Sequence, residues 1–207
     1  MPKTTRAPYH HGFLKESFVE AAIEYLEKNG VARLSLREVA AAIGVSHNAP
    51  YRHFKGKDAL LEAMAVIGYQ KIEAICHQAA QDYPRDPIQQ LVEAGTRYVL
   101  HAIKHPELHN LLFGANIKSS ASSVELKQAA HKAVMALVRI IENGQAASLY
   151  QDRPAEQMAL ASLSAVHGLS QFALAGHLKD SVLTTKEVRS YCANVADMVL
   201  HGLLKRK

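Results

Sequence analysis

The stretch from Ser35 to Leu61 constrains the fold of this chain more than any other segment. Ser35 and Glu38 have the spacing of a capping box, in which each side chain accepts the other's backbone N–H at the start of a helix. A narrow apolar face follows, and Gly44 then supplies the positive φ at which such a short helix ends. Ser46 is a favourable N-cap for a second helix. The stretch therefore predicts two short helices joined by a tight turn, a helix-turn-helix.

The segment after the turn, residues 46–54, is too short and too polar for an ordinary core helix. Phe54 would hold it on the domain, while its other side chains can donate to phosphates or base edges. The second helix of a helix-turn-helix lies in the DNA major groove. At the start of the next helix, the positive end of the helix dipole and the ammonium of Lys57 can share one phosphate. We expect a DNA-binding surface made of Ser35, Arg37, Ser46, His47, Asn48, Ala49, Tyr51, Arg52, His53 and Lys57.

These residues resemble a known family. GVSHNAPYRHFKGKDALLEAMA (44–65) is similar to the DNA-binding signature of the TetR (tetracycline repressor-like) transcriptional regulators, in which a Gly-Val-Ser turn leads to a Tyr-x-x-Phe recognition helix. YHHGFL (9–14), HPELHNLLFG (105–114) and AVHGL (165–169) resemble a branch whose C-terminal domain is named for a Trp-His-Gly motif, although this chain contains no Trp. The resemblance implies a homodimer that binds a palindromic operator and is released by a small-molecule inducer.

Helical periodicity and helix-terminating residues organise the rest of the chain. No segment alternates like a strand, so we predict an all-α fold of about nine helices. They are 14–29, the two helices of the hairpin, 57–81, 87–105, 106–114, 122–147, 154–177 and a last helix that begins at Thr184. We divide the chain into a helix-turn-helix domain over 1–56 and a larger ligand-binding and dimerisation domain over 57–207.

Composition agrees with this interpretation. The 207 residues are enough for a substantial core, and the formal net charge of +5 permits an anionic partner without proving one. Residues 1–12 are basic and polar and lead into no apolar signal segment, so we expect a cytoplasmic protein. Cys76 and Cys192 lack metal-like spacing and are expected to be reduced thiols, with a redox-sensing thiol as the alternative.

The last two long helices are candidates for a dimer interface. Between Gln157 and Leu178 there is no Asp, Glu, Lys or Arg, and the final helix carries an apolar stripe. A helix that is apolar nearly all round is buried or lies in a membrane. The Gln, Ser and His residues and the missing aromatic belt argue against a membrane span. We expect a four-helix bundle across a two-fold axis, with plain core packing as the alternative.

A regulated DNA-binding protein also needs a site for its signal. The residues Tyr98, His101, Phe113, His131, Met135, Met158, His167 and Phe172 are candidates for an apolar pocket with a few polar contacts, and for each one core packing is the alternative. The identity of the small molecule does not follow from these residues. We predict no cofactor.

Histidines raise two further alternatives. His101 and His105 are four residues apart on one helix, which suits a metal pair, but Pro106 breaks the register to His109. We predict no metal site and keep a metal sensor as the alternative. Ser164 and His167 lack an acidic partner, and no catalytic motif is present, so we predict that the chain is not an enzyme.

Two classes of function remain at this stage. The first is a ligand-responsive repressor, or an activator of the same design. The second is an all-α small-molecule-binding or interaction protein whose N-terminal hairpin is only structural. DNA binding and its salt dependence separate these two classes.

Overall fold

The computed structural model describes residues 11–114, 123–178 and 183–203. Within these ranges the chain forms eight α-helices, a 3-10 turn and no β-strand, which confirms the predicted all-α fold. The ninth expected helix, after Gly44, is the 3-10 turn. The elements are α1 (His11–Arg33), α2 (Leu36–Ala42), the 3-10 turn (Pro50–Arg52), α3 (Lys57–Asp82), α4 (Pro87–Lys104), α5 (Pro106–Phe113), α6 (Val124–Ala146), α7 (Ala155–Leu174) and α8 (Thr185–Leu203).

Side-chain caps begin several helices where the sequence predicts them. Ser35 Oγ accepts the backbone N–H of Glu38 at 3.2 Å. Thr184 and Glu187 form a reciprocal capping box: the N–H of Thr184 donates to the Glu187 carboxylate at 2.8 Å, and the N–H of Glu187 donates to Thr184 Oγ1 at 3.3 Å. Asp86 accepts the backbone N–H three residues further on at 3.0 Å. Each bond satisfies a donor that the helix itself leaves unpaired.

Helix α1 extends from His11 to Arg33 across a non-helical Gly30 (φ 74°) instead of over residues 14–29, and the ends of α6 and α7 also differ from the prediction. The cap of α6 is Ser123, whose Oγ accepts the N–H of Leu126 at 3.2 Å, so the helix begins one residue later than a cap at Ser122 would place it. Helix α7 ends at Leu174 instead of His177, because the chain adopts a φ of 75° at Gly176 and leaves the helical path.

Three groups of buried side chains form the interior. The N-terminal core joins α1, α2 and the first turns of α3 with α5, and it contains Phe18, Leu26, Val39, Phe54, Leu60, Met64, Leu108 and Leu111. The second group joins α3, α4, α6, α7 and α8, and the third lies at the opposite end of α3 and α6. Helix α5 follows α4 in sequence, but its Leu108 and Leu111 are packed in the N-terminal core. It therefore connects the hairpin with the larger helical body.

The last two helices leave large apolar side chains in solvent. Leu160 and Phe172 of α7 are 64% and 57% exposed, and Met198 of α8 is 76% exposed. Helix α7 also buries Met158 and Leu169 on its other side. Helix α7 thus has an apolar inner face that packs against the core and an outer face whose large apolar side chains, Leu160 and Phe172, nothing in the described chain covers.

Candidate functional site

The turn of the hairpin has the geometry that its sequence predicts. The N–H of Gly44 donates to the carbonyl of Ala41 at 3.2 Å, and the N–H of Val45 donates to the carbonyl of Ala40 at 3.0 Å. This pair of bonds is a Schellman motif, which needs a left-handed residue at its centre. Gly44 supplies it with a φ of 70°. Val45 is then half-buried against the N-terminal core and fixes the direction of the following segment.

The segment after the turn differs from the predicted short helix. The carbonyl of Ser46 accepts the N–H of Ala49 at 2.9 Å, which makes a turn. Pro50 then opens a 3-10 turn of three residues. The segment stays compact because Phe54 is 3% exposed and its ring lies 5.7 Å from that of Phe18, centroid to centroid. Phe54 anchors the polar segment to the N-terminal core, as the sequence suggests.

The predicted DNA-binding residues lie on this segment or beside it, and most face solvent. Tyr51 is 50% exposed although it is a large aromatic residue. Arg37 and Arg52 are exposed, and neither forms an ion pair with any residue that the structure describes. Ser46, His47 and Asn48 are also exposed, whereas Ser35, Ala49, His53 and Lys57 are half-buried. Ser35 uses its hydroxyl oxygen as the cap acceptor of α2.

Lys57 has a structural role that the sequence did not reveal. Its Nζ donates to the carbonyl of Val31 at 2.6 Å and so ties the start of α3 to the end of α1. The N-cap of α3 is Gly56, which offers no side chain to the first backbone N–H groups. An ammonium has three donors, so the bond to Val31 leaves two for another acceptor.

An apolar cavity of about 90 Å³ lies among α3, α4, α6, α7 and α8. Its wall includes Ile72, Leu91, Val134, Leu137, Leu163, Val166, Val195 and Val199, together with Tyr98 and Phe113 from the predicted set. Among the residues that the structure describes, no Asp, Glu, Lys, Arg or His lines the cavity. The cavity therefore offers hydroxyl groups and apolar surface, but no charge.

The other candidates for the pocket are distributed differently. His131 is exposed on α6 and Phe172 is 57% exposed on α7, so neither lines the cavity. Met158 is buried in the third group of core residues, where Gln145 Nε2 lies 3.6 Å from its Sδ, and Met135 packs against the same group. His101 is half-buried on α4 outside the cavity wall. Periodicity shows which helix face a side chain occupies, but it does not show which other helices surround that face.

Four aromatic rings from three helices meet beside the cavity. Tyr98 OH and His167 Nδ1 are 3.0 Å apart and hydrogen-bonded. The ring of Phe113 lies 4.7 Å from that of His167 and 4.9 Å from that of His109, and the two imidazoles lie 5.3 Å apart, all between centroids. We call Tyr98, His109, Phe113 and His167 the aromatic cluster. It joins the cavity wall to α5.

His109 is the member of the cluster that the pocket prediction did not include. It is 2% exposed, and its Nε2 has no hydrogen-bond partner among the described residues. Burial lowers the pKa of His109 to about 4, with a smaller contribution from His167, so the imidazole is neutral near pH 7. The sequence signal for His109 is its position in HPELHNLLF (105–113), among the leucines that follow Pro106.

Cys76 and Cys192 are both buried free thiols. Burial raises the pKa of Cys76 to about 12 and that of Cys192 to about 11, which keeps both protonated.

The rings of His101 and His105 lie 4.8 Å apart, and burial lowers the pKa of both. Among the described residues no group of three His, Cys, Asp or Glu side chains could hold a metal ion. Ser164 Oγ donates to the carbonyl of Leu160 within its own helix at 2.8 Å.

In the parts of the chain that the structure describes, no helix is both long and apolar enough to span a membrane.

Two family descriptions match the chain. Residues 18–64 match "Bacterial regulatory proteins, tetR family", and residues 91–197 match "Tetracyclin repressor-like, C-terminal domain". The first range contains the hairpin and the 3-10 turn, and the second contains most of the residues that line the cavity and most of α8. Together they cover both regions described above.

Individual relatives agree with these matches. The tetracycline repressor protein class D of Escherichia coli is 40% identical over 52 residues, 25% of this chain and 24% of that protein. The probable acrEF/envCD operon repressor of Escherichia coli (strain K12) is 28% identical over 102 residues, 48% of this chain and 46% of that protein. The chain thus matches less than half the length of each of these curated relatives.

Solved structures match over nearly the whole chain. A protein with unknown function from Rhodococcus sp. RHA1 is 31% identical, with a TM-score of 0.82 over 97% of this chain and 100% of that one. A regulatory protein in the tetR family from Rhodococcus RHA1 is 23% identical, with a TM-score of 0.68 over 93% of this chain and 98% of that one. At that identity the second likeness concerns the fold.

Proposed function

Because the chain belongs to the tetR family of bacterial regulatory proteins, we propose that it is a homodimeric transcriptional repressor that binds a palindromic DNA operator and is released by a small molecule. The observation that carries this proposal is the exposed polar segment 46–53, which is held on a closed apolar core by Phe54. An enzyme would need reacting groups in a cleft, whereas this surface offers a hydrated, anionic partner hydrogen-bond donors and exposed Arg side chains that form no ion pair with any described residue. Such a role places the protein in the cytoplasm with the DNA.

The proposed DNA contacts divide into two kinds. Arg37, Arg52 and Lys57 suit phosphates because they bring positive charge, and phosphate contacts fix register without reading sequence. His47 and Asn48 lie at the exposed turn before Pro50 and suit base edges, because amide and imidazole groups can pair with them in the major groove. Replacing the second kind is expected to change the preferred sequence, and replacing the first kind is expected to change mainly the salt dependence of binding.

The proposed dimer forms through α7 and α8. Their exposed apolar side chains Leu160, Phe172 and Met198 are what a two-fold interface would bury. One segment of this length reads too few bases to specify a site, and two copies about one DNA turn apart, roughly 34 Å, would read a palindrome. A four-helix bundle across the two-fold axis would set this spacing.

Helix α5 is the proposed link between ligand and DNA. At its N-terminal end, the Glu27 carboxylate of α1 accepts the backbone N–H groups of Glu107 at 3.2 Å and Leu108 at 3.0 Å. At its C-terminal end, the carbonyl of Leu112 accepts Tyr69 OH at 3.1 Å, and Phe113 lines the cavity. A ligand that moves Phe113 would therefore move the helix that α1 holds.

The proposed link must satisfy a thermodynamic condition on the affinity of the ligand for the two states of the dimer. The ligand must bind better to a dimer whose DNA-binding segments are wrongly spaced than to the DNA-bound dimer. A rigid α5, packed in the N-terminal core at one end and in the cavity wall at the other, can transmit such a difference because packed cores change between discrete arrangements.

Selection of bound duplexes from a random DNA pool by the purified protein tests the proposal. We expect a recovered palindrome with half-sites about one DNA turn apart. A dimer making about 6–10 phosphate contacts should show a steep fall of log K with log salt. A slope near zero, or equal affinity for every duplex, would contradict the proposal and favour a small-molecule-binding protein whose hairpin is only structural.

A further inference from the structure

We infer that the cavity binds an uncharged, largely apolar small molecule with a single hydrogen-bonding group, and that His109 is the residue that recognises this group. The inference rests on the proposed function only in taking this molecule to be the effector. It is carried by the chemistry of the wall, by the unpaired nitrogen of His109 and by the size of the cavity.

The wall excludes a charged ligand. A charge taken out of water is costly unless a counter-charge or several hydrogen bonds receive it. The lining residues include no Asp, Glu, Lys, Arg or His. The nearby Arg97 of α4 is already paired with Asp82 at 2.6 Å and Glu93 at 3.0 Å, and it does not line the cavity. A carboxylate or an ammonium would therefore remain unpaired inside.

Three of the four hydroxyl groups of the wall donate their protons to backbone carbonyls, and the fourth, that of Tyr98, is hydrogen-bonded to His167 Nδ1. Thr96 Oγ1 donates to the carbonyl of Val92 at 2.8 Å, and Ser162 Oγ donates to the carbonyl of Met158 at 2.9 Å. Tyr69 OH donates to the carbonyl of Leu112 at 3.1 Å. A ligand with many polar groups would find few free donors, so the wall favours one with little polar surface.

Among the described residues, His101 Nε2 and His109 Nε2 are both buried without a hydrogen-bond partner. Of these two rings it is that of His109 that packs against rings lining the cavity, those of Tyr98 and Phe113. The His109 imidazole is neutral, since burial lowers its pKa to about 4. According to its tautomer, a neutral imidazole donates to a carbonyl or accepts from a hydroxyl. One such ligand group would satisfy this nitrogen.

The size of the cavity connects binding with movement. A cavity of roughly 150 Å³ accepts benzene. The volume here is about 90 Å³, so a ring-sized ligand has to displace part of the wall. Phe113 is 39% exposed at the end of the eight-residue α5, and its ring contacts His109. Displacing Phe113 would enlarge the cavity and open His109 to the ligand in the same movement.

Four compounds with the same ring test the inference on the purified full chain near pH 7. They are toluene, benzyl alcohol, benzoate and benzylammonium, and binding is measured by calorimetry and by thermal shift. We expect benzyl alcohol to bind tightest, toluene several-fold more weakly, and both ions at least roughly tenfold more weakly than the alcohol. Equal binding of either ion and the alcohol, or no binding by any of the four, would overturn the inference.

Two pairs of variants locate the binding. His109→Leu should remove the advantage of benzyl alcohol over toluene and leave toluene binding within about twofold, while His109→Gln, which keeps a hydrogen-bonding group, should retain part of that advantage. Ala196→Phe fills the cavity from α8 and should abolish binding, whereas Ala74→Phe, on the exposed face of α3, should not. Retention of the advantage in His109→Leu, or of binding in Ala196→Phe, would contradict the inference, and so would loss of all advantage in His109→Gln if His109→Leu failed to fold.

The outcome is separable from that of the proposed function. If the neutral compounds bind but no palindrome is selected, the inferred ligand class is supported and the proposed repressor function is contradicted. A palindrome whose affinity for the protein is unchanged by a bound neutral compound would keep DNA binding and refute the effector role of this cavity.

Discussion

The hairpin and the cavity place their polar groups in opposite ways. In the hairpin, most polar side chains from 46 to 52 face outward on a core closed by Phe54, and Arg37 and Arg52 are exposed without an ion pair among the described residues. Around the cavity, no charged side chain is found among the described lining residues, and the neighbouring Nε2 of His109 is buried without a partner in the part of the chain that the structure describes. The difference indicates two kinds of partner. A polyanion binds at an exposed surface where much of the water can remain, whereas an uncharged molecule binds in an apolar site where a charge would be costly.

The first prediction tests whether the surface depends on the core beneath it. Phe54→Ala removes a ring that packs on Phe18 and should cost about 3–5 kcal/mol of folding free energy, with loss of DNA binding. Tyr51→Ala, at a half-exposed ring three residues earlier, should change stability by only about 0.5 kcal/mol while also weakening DNA binding. Thermal unfolding and operator titration distinguish the two. Similar melting temperatures for the two variants would contradict the assigned roles.

The second prediction concerns the buried imidazole. His109 has a pKa of about 4 in the folded chain, below the ordinary value of 6.5, so between these values the unfolded chain binds more protons. Its contribution to stability is full above pH 6.5 and is lost as the pH falls toward 4. When the pH is lowered from 7 to 5, the free energy of unfolding of His109→Leu should therefore fall by roughly 1–2 kcal/mol less than that of the wild type. His101, which has a similar pKa, remains in both proteins.

Denaturant unfolding at several pH values measures this difference. Parallel stability curves for His109→Leu and the wild type would show that the nitrogen is solvated in solution, and they would weaken the contrast between the two regions.

The third prediction concerns the link between the regions. Glu27→Ala removes the carboxylate that caps α5 and should cost about 1 kcal/mol. We expect DNA and ligand each to bind nearly as before, while the effect of ligand on DNA affinity falls. Glu24→Ala, at an exposed position one turn earlier, is the matched control. If the ligand still changes DNA affinity in Glu27→Ala as much as in the wild type, this cap does not transmit the effect of the ligand to the DNA-binding segment.

The fourth and smallest effect concerns Lys57. Replacing it by Ala or by Gln should lower the slope of log K against log salt by about 2 per dimer without changing the preferred sequence. Only Ala should also lower the melting temperature, because Gln can still donate toward the carbonyl of Val31. An unchanged slope in both variants would leave Lys57 with its structural role alone.

The sequence predicted local features well because their causes are local. Capping by Ser35 and Thr184 and the turn at Gly44 depend on neighbours within a few residues, and the structure shows them where they were expected. The prediction of a helix after Ser46 was wrong, because the chain forms a 3-10 turn of three residues there. Pro50 lacks the backbone N–H that an α-helix through this position would need. The apolar character of α7 was also visible from its composition alone.

The cavity could not be predicted in the same way. Of the eight proposed residues, Tyr98 and Phe113 line it, His167 is bonded to Tyr98, and His131 and Phe172 face solvent. The role of Lys57 as a donor to Val31 depends on where the end of α1 lies, which no spacing within α3 reveals.

The sequence by itself determined the all-α fold, the helix-turn-helix and the polar segment anchored by Phe54, because caps, turns and amphipathic periodicity act between residues close in the chain. Only the tertiary structure decided that α5 belongs to the N-terminal core, that Glu27 holds it, and that an uncharged cavity ends beside a buried, unpaired His109. These features arise where helices distant in sequence meet, and burial at such a meeting point depends on all of them at once.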